Sequence, residues 1–587
     1  MKSILDFLVK SHVEKIKQPI FKLYSSQIEI LQEPIDFYLQ LHKGVKYSSK
    51  RILMSTLYFG TGNLEKYLVA QIDNSIKRNK KLKVGMLMDY MRGNRVNKRQ
   101  ESSRTLVENL KRDNLHNNNV KLAFYYNPST NKILTLDSES GLREIFGVHH
   151  MKFYVFDDDI VLTGANLSED YFVERQDRYF YIRNAPELAN YLQDLFDVIS
   201  NNSYQIHESG ELVLFNNQPN PVKQTQKFIK VFKNQFKMFL YSNQIEPKTI
   251  SFTDQNLKPQ NSEETILNQE NMDSKVTDSH ETNQEDQQQQ VEEEEEPEII
   301  DITPDNYFQE NKQISLELQE KKEKATQLLQ NSFNEVEIHQ IMRKLEDTLF
   351  YEDKRKSGEL AELGGPVYFF PTIQLSAINH IQDEQFFLEF LDYIGSNEGY
   401  QLKFASGYMN FTDKIIQKIM NSKFQYQLDL LTAAPQANGF FEGGRVKKHI
   451  PFFYRYFEYN LLKLALKFNR KNIRINEYSR GQWTFHSKGL WLYENQVQNG
   501  ESNYVSNPYP VFTAIGSSNY CNRSYQRDTE LQFYIYSQCN KFSKELHIEN
   551  ERQFNYSQDV TEKKLSYKEY GLSLSVVAFA KFLRSFL

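Results

Sequence analysis

The sequence predicts an α/β protein built from two similar halves related by a pseudo-two-fold arrangement. Strand-like and helix-like patterns alternate along the chain, which favours α/β layering. A His-x-Lys pair followed by a Gly/Asn turn occurs twice, and a long acidic stretch separates the two copies. With 587 residues, the chain is long enough for two or three domains that each hold a core.

The alternation of strands and helices has the same order in both halves. Residues 55–72 read STLYFGTGNLEKYLVAQI and are followed by KLKVGMLMD at 81–89. In the second half, SGYMNFTDKIIQKIM at 406–420 is followed by YQLDLLTA at 426–433. Each stretch gives a short apolar strand, a polar turn, a helix-like segment and a second strand. The repeat therefore predicts the same folding unit twice.

Domain boundaries follow from this repeat and from composition. The first half is predicted over 41–245, and the second half, with a leading helix, over 321–587. Residues 1–40 mix apolar residues with lysines, but Asp6 and Glu14 make them an imperfect targeting segment. A targeting segment and a plain N-terminal helix are therefore equal alternatives for this region.

The acidic stretch over 246–320 is predicted to be a disordered linker. It contains QQQQ and EEEEE runs and too few apolar residues to offset the entropy of ordering. Between Ser251 and Pro304 lie sixteen acidic residues and two lysines, so the rest of the chain carries a net charge of +9 although the whole carries −5. A basic folded part suits an anionic partner such as nucleic acid, a nucleotide or a phospholipid headgroup.

Cysteine and hydropathy patterns exclude several classes of protein. Two cysteines cannot form a disulfide framework, and no Cys/His spacing indicates structural zinc. The sequence contains no run of about 18 apolar residues, so it predicts no transmembrane helix. The chain ends in VVAFAKFLRSFL, which predicts an amphipathic helix; docking on the domain is favoured over a position on a membrane.

The residues with chemical potential in the first half lie between 149 and 180. His150 and Lys152 are two residues apart on a strand-like run, so their side chains point to the same face. Asn166 follows at a GxN turn, and Asp177 lies eleven residues after it. A single His-x-Lys pair is a weak signal by itself.

The second half repeats this set. His486 and Lys488 form the second pair, Asn519 follows at a GxxN turn, and Glu530 again lies eleven residues further along. Two copies with the same spacing from asparagine to carboxylate point to one site with paired residues.

Such a set suits transfer of a phosphoryl group. A phosphodiester is anionic and resists attack, so cations and hydrogen-bond donors must neutralise its charge. The two lysines and the two asparagines are candidates for that task. One histidine can attack phosphorus, and the other can move protons to the leaving group and from the acceptor. Asp177 and Glu530 are candidates to orient the histidines, with the pairing left open. This logic requires no metal or cofactor.

Two neighbouring residues need separate interpretation. Asp157 completes an H-x-K-x4-D pattern in the first half and is kept among the catalytic candidates. Its counterpart in the second half is Tyr493, which favours a structural role. His149 is expected to point away from His150, because adjacent residues of a strand face opposite sides.

These motifs resemble the phospholipase D superfamily, in which two α/β half-domains hold one site at their interface. The branch with the most similar motifs is the mitochondrial phosphatidylglycerophosphate synthases. The similar segments are GANLS at 164–168, RQDRY at 175–179, FHSKGLWLY at 485–493, LTAAPQANGFF at 431–441, STLYFGTG at 55–62, DYMRGNR at 89–95 and ASGYMNFT at 405–412. The absence of a second Asp, noted at Tyr493, also agrees with that branch.

The resemblance implies a function. It is transfer of a phosphatidyl group from CDP-diacylglycerol to glycerol 3-phosphate, giving phosphatidylglycerol phosphate and CMP on the route to cardiolipin. His150 would be the nucleophile and His486 the acid/base. The resemblance further implies a mitochondrial enzyme, peripheral on the inner membrane, with no nucleic-acid partner.

Basic residues outside the paired motifs are candidates to hold the other phosphates of the substrates. They are Arg92, Arg95, Arg445, Arg523 and Arg527. Three alternatives stay open: a nuclease or phospholipase of the same fold, a cardiolipin or phosphatidylserine synthase, and a non-catalytic scaffold. The two intact His/Lys pairs speak against the scaffold.

Overall fold

The computed structural model describes residues 3–114, 119–128, 147–215, 217–244, 364–442, 447–497, 504–506, 508–560 and 572–584, with a few residues between 320 and 338. The elements below belong to one unit formed by Met1–Ile245 and Lys322–Leu587. The predicted acidic linker and most of the predicted leading helix lie outside the described residues.

The strands fall into two large sheets and one small one. In chain order they are β1 (Phe21–Tyr24), β2 (Ile28–Leu31), β3 (Arg51–Ser55), β4 (Lys83–Asp89), β5 (Val120–Tyr125), β6 (Phe153–Phe156), β7 (Asp159–Thr163), β8 (Arg175–Gln176), β9 (Tyr179–Ile182), β10 (Tyr204–Ile206), β11 (Leu212–Val213), β12 (Pro366–Leu375), β13 (His380–Ile381), β14 (Tyr400–Ser406), β15 (Gln427–Ala433), β16 (Ile473–Tyr478), β17 (Thr484–Phe485), β18 (Lys488–Val497), β19 (Tyr504–Ser506), β20 (Phe512–Gly516), β21 (Thr529–Ser537) and β22 (Ser557–Asp559).

Helices connect and cover these strands. The α-helices are α1 (Ile4–Ser11), α2 (Pro34–Tyr47), α3 (Asn63–Arg78), α4 (Tyr90–Gly93), α5 (Ser103–Arg112), α6 (Glu169–Val173), α7 (Pro186–Ser200), α8 (Thr225–Ser242), α9 (Gln382–Ser396), α10 (Asp413–Met420), α11 (Ile450–Lys467), α12 (Asn522–Gln526), α13 (Asn540–Asn555) and α14 (Leu574–Leu583). A π-helical turn, His12–Ile16, extends α1. Among the described helices, none combines the length and apolar character needed to cross a membrane.

The central strands of the two large sheets follow the same order, although the first sheet has nine strands and the second eleven, with β13 and β19 pairing at β12 and β18. The first has the order β11-β10-β5-β4-β3-β6-β7-β9-β2, and the second has β1-β12-β21-β20-β18-β14-β15-β16-β22. In each, three consecutive strands pair in parallel, β3-β4-β5 and β14-β15-β16, and antiparallel strands continue from the first of them. The predicted α/β class with two equivalent halves is confirmed.

The sheet of the first half separates two apolar layers because its strand residues alternate between its faces. Ile52 and Met54 of β3 pack with residues of α2 and α3, whereas Leu53 packs in the layer that contains α7. That second layer also holds Phe369 and Phe533 from the other half. The halves therefore share one hydrophobic core, which fixes their relative position.

The N-terminal segment, considered above as a possible targeting segment, contributes to both sheets. Strand β1 pairs with β12 of the second half, and β2 pairs with β9 of the first. Ile4 and Leu8 of α1 are buried in the core of the second half.

Candidate active site

Each His-x-Lys pair lies at the start of an antiparallel strand in the middle of its sheet. His150 and Lys152 precede β6, and His486 follows β17 at the start of β18, which begins with Lys488. All four residues are at most 7% exposed. The alternation of a strand sends the two side chains of each pair to one face, as predicted from their spacing.

Short parallel pairings between the halves bring the two motifs together. The His150 amide donates to the Thr529 carbonyl at 3.0 Å, and the His486 amide donates to the Gln176 carbonyl at 2.8 Å. The residues that follow Thr529 and Gln176 are Glu530 and Asp177. Each histidine is thus placed beside the carboxylate of the opposite half.

The carboxylates and histidines pair across the interface. His150 Nδ1 lies 2.9 Å from Glu530 Oε2, and His486 Nδ1 lies 2.6 Å from Asp177 Oδ2. A carboxylate accepts, so Nδ1 carries the hydrogen and Nε2 keeps its lone pair. The pairing left open by the sequence is a crossed one, and neither half contains a complete His–carboxylate pair.

Arg178, next to Asp177, fastens this crossed arrangement. Its buried guanidinium donates twice to Glu549, at 2.8 Å each, and once to the Ala514 carbonyl at 2.6 Å. It also stacks over the Trp491 ring at 4.1 Å. A paired buried charge with these bonds holds the segment between β8 and β9, which contains Asp177, against the second half.

The lysines bring two buried amino groups into the site. Lys488 Nζ lies 2.8 Å from the His486 carbonyl oxygen, 2.8 Å from His486 Nδ1 and 3.1 Å from His486 Nε2. Lys152 Nζ is buried and has no hydrogen-bond partner among the described residues. A buried ammonium without a partner is costly, so burial holds the pKa of Lys152 well below 10.5, and an anion in the site would favour its charged form.

Burial shifts the pKa values of all these groups toward their neutral forms. It holds the pKa of both His150 and His486 well below 6.5, and the neighbouring lysines act in the same direction. It raises the pKa of Asp177 to about 6 and that of Glu530 to about 7. Burial likewise lowers the pKa of Lys488 to about 8. Both imidazoles are therefore neutral near pH 7, as a nucleophile or base requires.

The two asparagines lie at equivalent turns of the two halves, Asn166 after β7 and Asn519 after β20. Asn166 Nδ2 donates to the Tyr171 hydroxyl at 2.9 Å. Asn519 Oδ1 is buried without a hydrogen-bond partner among the described residues. These amides remain candidates to contact a phosphoryl group.

Two tyrosines that the sequence analysis missed surround His486. The Tyr171 hydroxyl lies 3.2 Å from His486 Nε2, and the ring centroids are 5.0 Å apart. Tyr408 packs edge-on against the same imidazole at 5.7 Å. Tyr171 follows Asn166 by five residues, and the residue five after Asn519 is Ser524, so a comparison of the two turns would have marked this difference.

Asp157 and His149 lie outside the catalytic cluster. Asp157 is in a turn with φ of 54°, and its carboxylate accepts from the amides of Ser49, Lys50 and Arg51. That is a structural cap on the start of β3. His149 Nε2 lies 2.8 Å from the Ser55 hydroxyl, on the opposite side from His150, and burial lowers its pKa to about 3.

The predicted arginines divide between the site and its surroundings. Arg523 donates to Asp528 at 3.1 Å, and its charge acts on His150. Arg92 stacks on the Tyr58 ring at 4.5 Å. Arg95 and Arg527 are half-buried, and Arg445 lies outside the described residues.

Arg175 was not among the predicted arginines, although it is in the quoted RQDRY segment. It donates to the Thr484 hydroxyl at 2.8 Å and stacks on Tyr171 at 4.6 Å. Its charge reaches both His486 and Lys488. It is therefore a further cation beside the site.

One group of side chains has atoms close enough to bind a metal ion. Among the described residues, His150, Asp528 and Glu530 offer ligand atoms within 4.8 Å of one another. These atoms also form the His150–Glu530 bond and the bonds from Arg523 and the Val148 amide to Asp528. In this arrangement the His150 imidazole carries a hydrogen on Nδ1, the atom that faces Glu530.

Comparison with known proteins gives this site a context. A probable CDP-diacylglycerol–glycerol-3-phosphate 3-phosphatidyltransferase of Dictyostelium discoideum is 29% identical over 541 residues, which cover 92% of this chain and 73% of that protein. The mitochondrial enzyme of the same name from Gallus gallus is 27% identical, with coverage of 91% and 79%. Phosphatidylserine synthase of Haemophilus influenzae matches structurally over 100% of both chains, with a TM-score of 0.59 and 14% identity. No family model matches the chain.

The chain has the phospholipase D fold. The resemblance to phosphatidylglycerophosphate synthases, predicted from short motifs, is confirmed by relatives at 24–29% identity over about 90% of the chain. In this fold, the paired histidines and lysines meet where the two halves join.

Proposed function

We propose that this protein transfers a phosphatidyl group from CDP-diacylglycerol to glycerol 3-phosphate, releasing CMP and forming phosphatidylglycerol phosphate. The observation that carries the proposal is the crossed site, in which two neutral histidines meet two buried lysines. The names of relatives that cover nine-tenths of the chain supply the two substrates.

In the first step, His150 Nε2 attacks the phosphorus that bears diacylglycerol. A P–N bond forms, and the P–O bond to CMP breaks. Lys152 and Lys488 stabilise the charge on the phosphoryl oxygens as the transition state forms. His486 donates a proton to the departing oxygen, and Asp177 stabilises its charged form before that transfer.

In the second step, the same groups act in reverse. His486, now neutral, takes the proton of the primary hydroxyl of glycerol 3-phosphate. That oxygen attacks phosphorus, the P–N bond breaks, and His150 is regenerated with Glu530 on its Nδ1. The proton that His486 lost in the first step is returned, so the cycle closes without a cofactor.

The neighbours of the two Nε2 atoms support this division of roles. Among the described residues, the hydrogen-bond partner of the His150 ring is Glu530, on Nδ1, so the lone pair of Nε2 is available to attack. His486 Nε2 faces the Tyr171 hydroxyl at 3.2 Å, and its imidazole lies closer to the additional charge of Arg175. The anionic substrate offsets the charges of the lysines, which raises the pKa of His486 and allows it to carry a proton.

The substrates carry phosphates beyond the one that reacts. Arg175 stacks on Tyr171 beside His486. Arg523 pairs with Asp528 near His150, and Arg92 stacks on Tyr58. We assign the three arginines to these phosphates, because a guanidinium matches the geometry of phosphate oxygens. We further propose that the enzyme acts in mitochondria, as a peripheral protein of the inner membrane, and that it does not bind nucleic acid.

The decisive experiment measures transfer from radiolabelled glycerol 3-phosphate to lipid in detergent micelles that contain CDP-diacylglycerol. The wild type should form a labelled, chloroform-soluble product, and His150→Ala should form none. His207→Ala, a change of an exposed histidine, is the matched control and should retain full activity.

A parallel reaction with single-stranded DNA tests the nuclease alternative. Cleavage of DNA that depends on His150, without any lipid product, would overturn the proposed function. Product formation with serine in place of glycerol 3-phosphate, at an equal or higher rate, would overturn the assigned acceptor.

A further inference from the structure

Helix α14 exposes large apolar side chains on the surface of the second half. Leu574 is 91% exposed, Phe579 59% and Phe582 74%. The opposite face of the helix, which includes Val576, Val577, Ala580 and Leu583, packs on the core of the second half. The helix is thus apolar on its packed face and also on its outward face, which is typical of a surface that meets another apolar phase.

A cavity of about 740 Å³ lies beside this helix, between α10, α11 and α14. Its walls are largely apolar, with Phe411, Ile416, Phe457, Leu461 and Leu464 among the lining side chains. Sites for small organic ligands have volumes of about 300–1,000 Å³. The cavity is therefore large enough for part of a lipid chain.

The rim of the cavity is cationic. Lys463, Lys467 and Lys581 line it and are exposed, and no ion pair to any of them is recorded among the described residues. The acidic lining residues are engaged: Asp413 pairs with Arg584 at 2.6 Å, and Glu458 accepts from Thr432 at 3.1 Å. The rim therefore complements an anionic group.

One loop joins this cavity to the catalytic site. Gly407 lies against the backbone of His486, and Tyr408 packs on the His486 ring at 5.7 Å. The next three residues, Met409, Asn410 and Phe411, line the cavity. The cavity and the reacting groups are thus separated by a few residues of one loop.

We propose that α14 and the adjacent cavity form the surface through which this protein binds an anionic phospholipid bilayer. Phe579 and Phe582 enter the interface, the three lysines contact lipid phosphates, and one acyl chain enters the cavity. The inference rests on the proposed function, because it places the catalytic loop beside the phase that holds the lipid substrate.

The test measures cosedimentation of the full-length protein with vesicles. We expect binding to vesicles of phosphatidylcholine with phosphatidylglycerol, and weaker binding to pure phosphatidylcholine. The double variant Phe579→Ser/Phe582→Ser should lower the partition coefficient at least about tenfold, because two exposed phenyl groups no longer enter the interface. Lys463→Gln/Lys467→Gln/Lys581→Gln should remove the preference for the anionic vesicles.

The matched control is Met238→Ser/Tyr241→Ser on α8, another basic helix with exposed apolar residues. It should leave vesicle binding unchanged. Unchanged binding by the α14 variants, or loss of binding only in the α8 variant, would overturn the proposal. Circular dichroism and activity in detergent micelles separate these outcomes from misfolding. A protein that binds vesicles through α14 but makes no lipid product would refute the proposed function alone.

A second measurement tests the occupant of the cavity. Phe457→Trp places an indole on its wall, and lipids brominated along an acyl chain quench indole fluorescence on contact. The signal that this substitution adds should be quenched by brominated phosphatidylglycerol vesicles. Quenching equal to that of the unsubstituted protein would show that no acyl chain enters.

Discussion

The two histidines occupy equivalent positions in the two halves, yet their surroundings differ on the reacting side. On the Nδ1 side each meets a carboxylate of the opposite half, Glu530 or Asp177. On the Nε2 side, His486 meets the hydroxyl of Tyr171, whereas the residue at the equivalent place in the other half is Ser524, which instead accepts from the Asn519 amide at 3.1 Å. The repeat thus provides two similar histidines, and Tyr171 makes the surroundings of their Nε2 atoms different.

The largest expected effect comes from replacing either histidine by alanine, and the two variants distinguish the nucleophile from the acid/base. His150→Ala should lower kcat by at least about 10³-fold and abolish covalent labelling by CDP-diacylglycerol that carries ³²P in the phosphatidyl group. His486→Ala should also stop turnover but should accumulate the labelled protein, because CMP leaves more readily than the acceptor hydroxyl loses its proton. Label retained in His150→Ala would reverse the assignment.

The next largest effect concerns the crossed carboxylates. Asp177→Asn and Glu530→Gln should each lower kcat about 10²–10⁴-fold, since an amide can hold the imidazole in the wrong tautomer. In the double variant the increase in activation free energy should be smaller than the sum of the two single increases, because both carboxylates act in one catalytic cycle. Near wild-type kcat in either variant, measured with the radiolabel assay, would show that the carboxylate does not orient its histidine.

The pH dependence of kcat/KM should be bell-shaped. Asp177 and Glu530, with pKa values of about 6 and 7, become protonated as pH falls and no longer hold their histidines. Lys488, with a pKa of about 8, loses its charge as pH rises and no longer stabilises the phosphoryl oxygens. Lys488→Arg should move the alkaline limb upward, because a guanidinium stays charged. An alkaline limb that does not move would assign it to another group.

A smaller effect is expected from Tyr171. Tyr171→Phe keeps the ring beside His486 but removes the hydroxyl, so kcat should fall about tenfold with a shift of the pH profile. The matched change Ser524→Ala on the opposite half should leave that profile in place. If Tyr171→Phe changes only the melting temperature, the hydroxyl is structural.

The smallest effect on activity belongs to Asp157. Asp157→Asn weakens the cap on β3 and should lower the free energy of unfolding by about 1–2 kcal/mol, seen as a lower Tm. Its kcat should stay within about twofold of the wild type. A large loss of kcat in a variant that is still folded would show that Asp157 has a catalytic role.

The sequence predicted most of the site because its signals were local. The two-residue spacing of each His-x-Lys pair and the eleven-residue spacing from asparagine to carboxylate can both be read from the sequence without knowledge of the fold. The crossed pairing could not be predicted, because it depends on how β8 and β17 meet between the halves. Tyr171 and Tyr408 were missed for the same reason: they reach His486 from separate elements, helix α6 and the turn after β14, and in sequence they look like ordinary core aromatics.

The fold was predictable to the level of layers and repeats, but the N-terminal segment was not. Its 40 residues were assigned to no sheet because β1 and β2 are each four residues long and pair with strands distant in sequence. The partners of β1, which begin at Phe369, lie more than 300 residues away. Pairing at that separation leaves no local periodicity from which to infer it.

The crossed carboxylates have a consequence during synthesis of the chain. Asp177 and its histidine are separated by 309 residues. At roughly 5–20 residues per second, a ribosome needs about 15–60 s to make that interval. For that time the first half holds a nucleophilic histidine without Glu530 and a carboxylate without His486. Activity therefore begins only after Glu530 has been synthesised, and a product truncated before that residue would be unable to consume CDP-diacylglycerol.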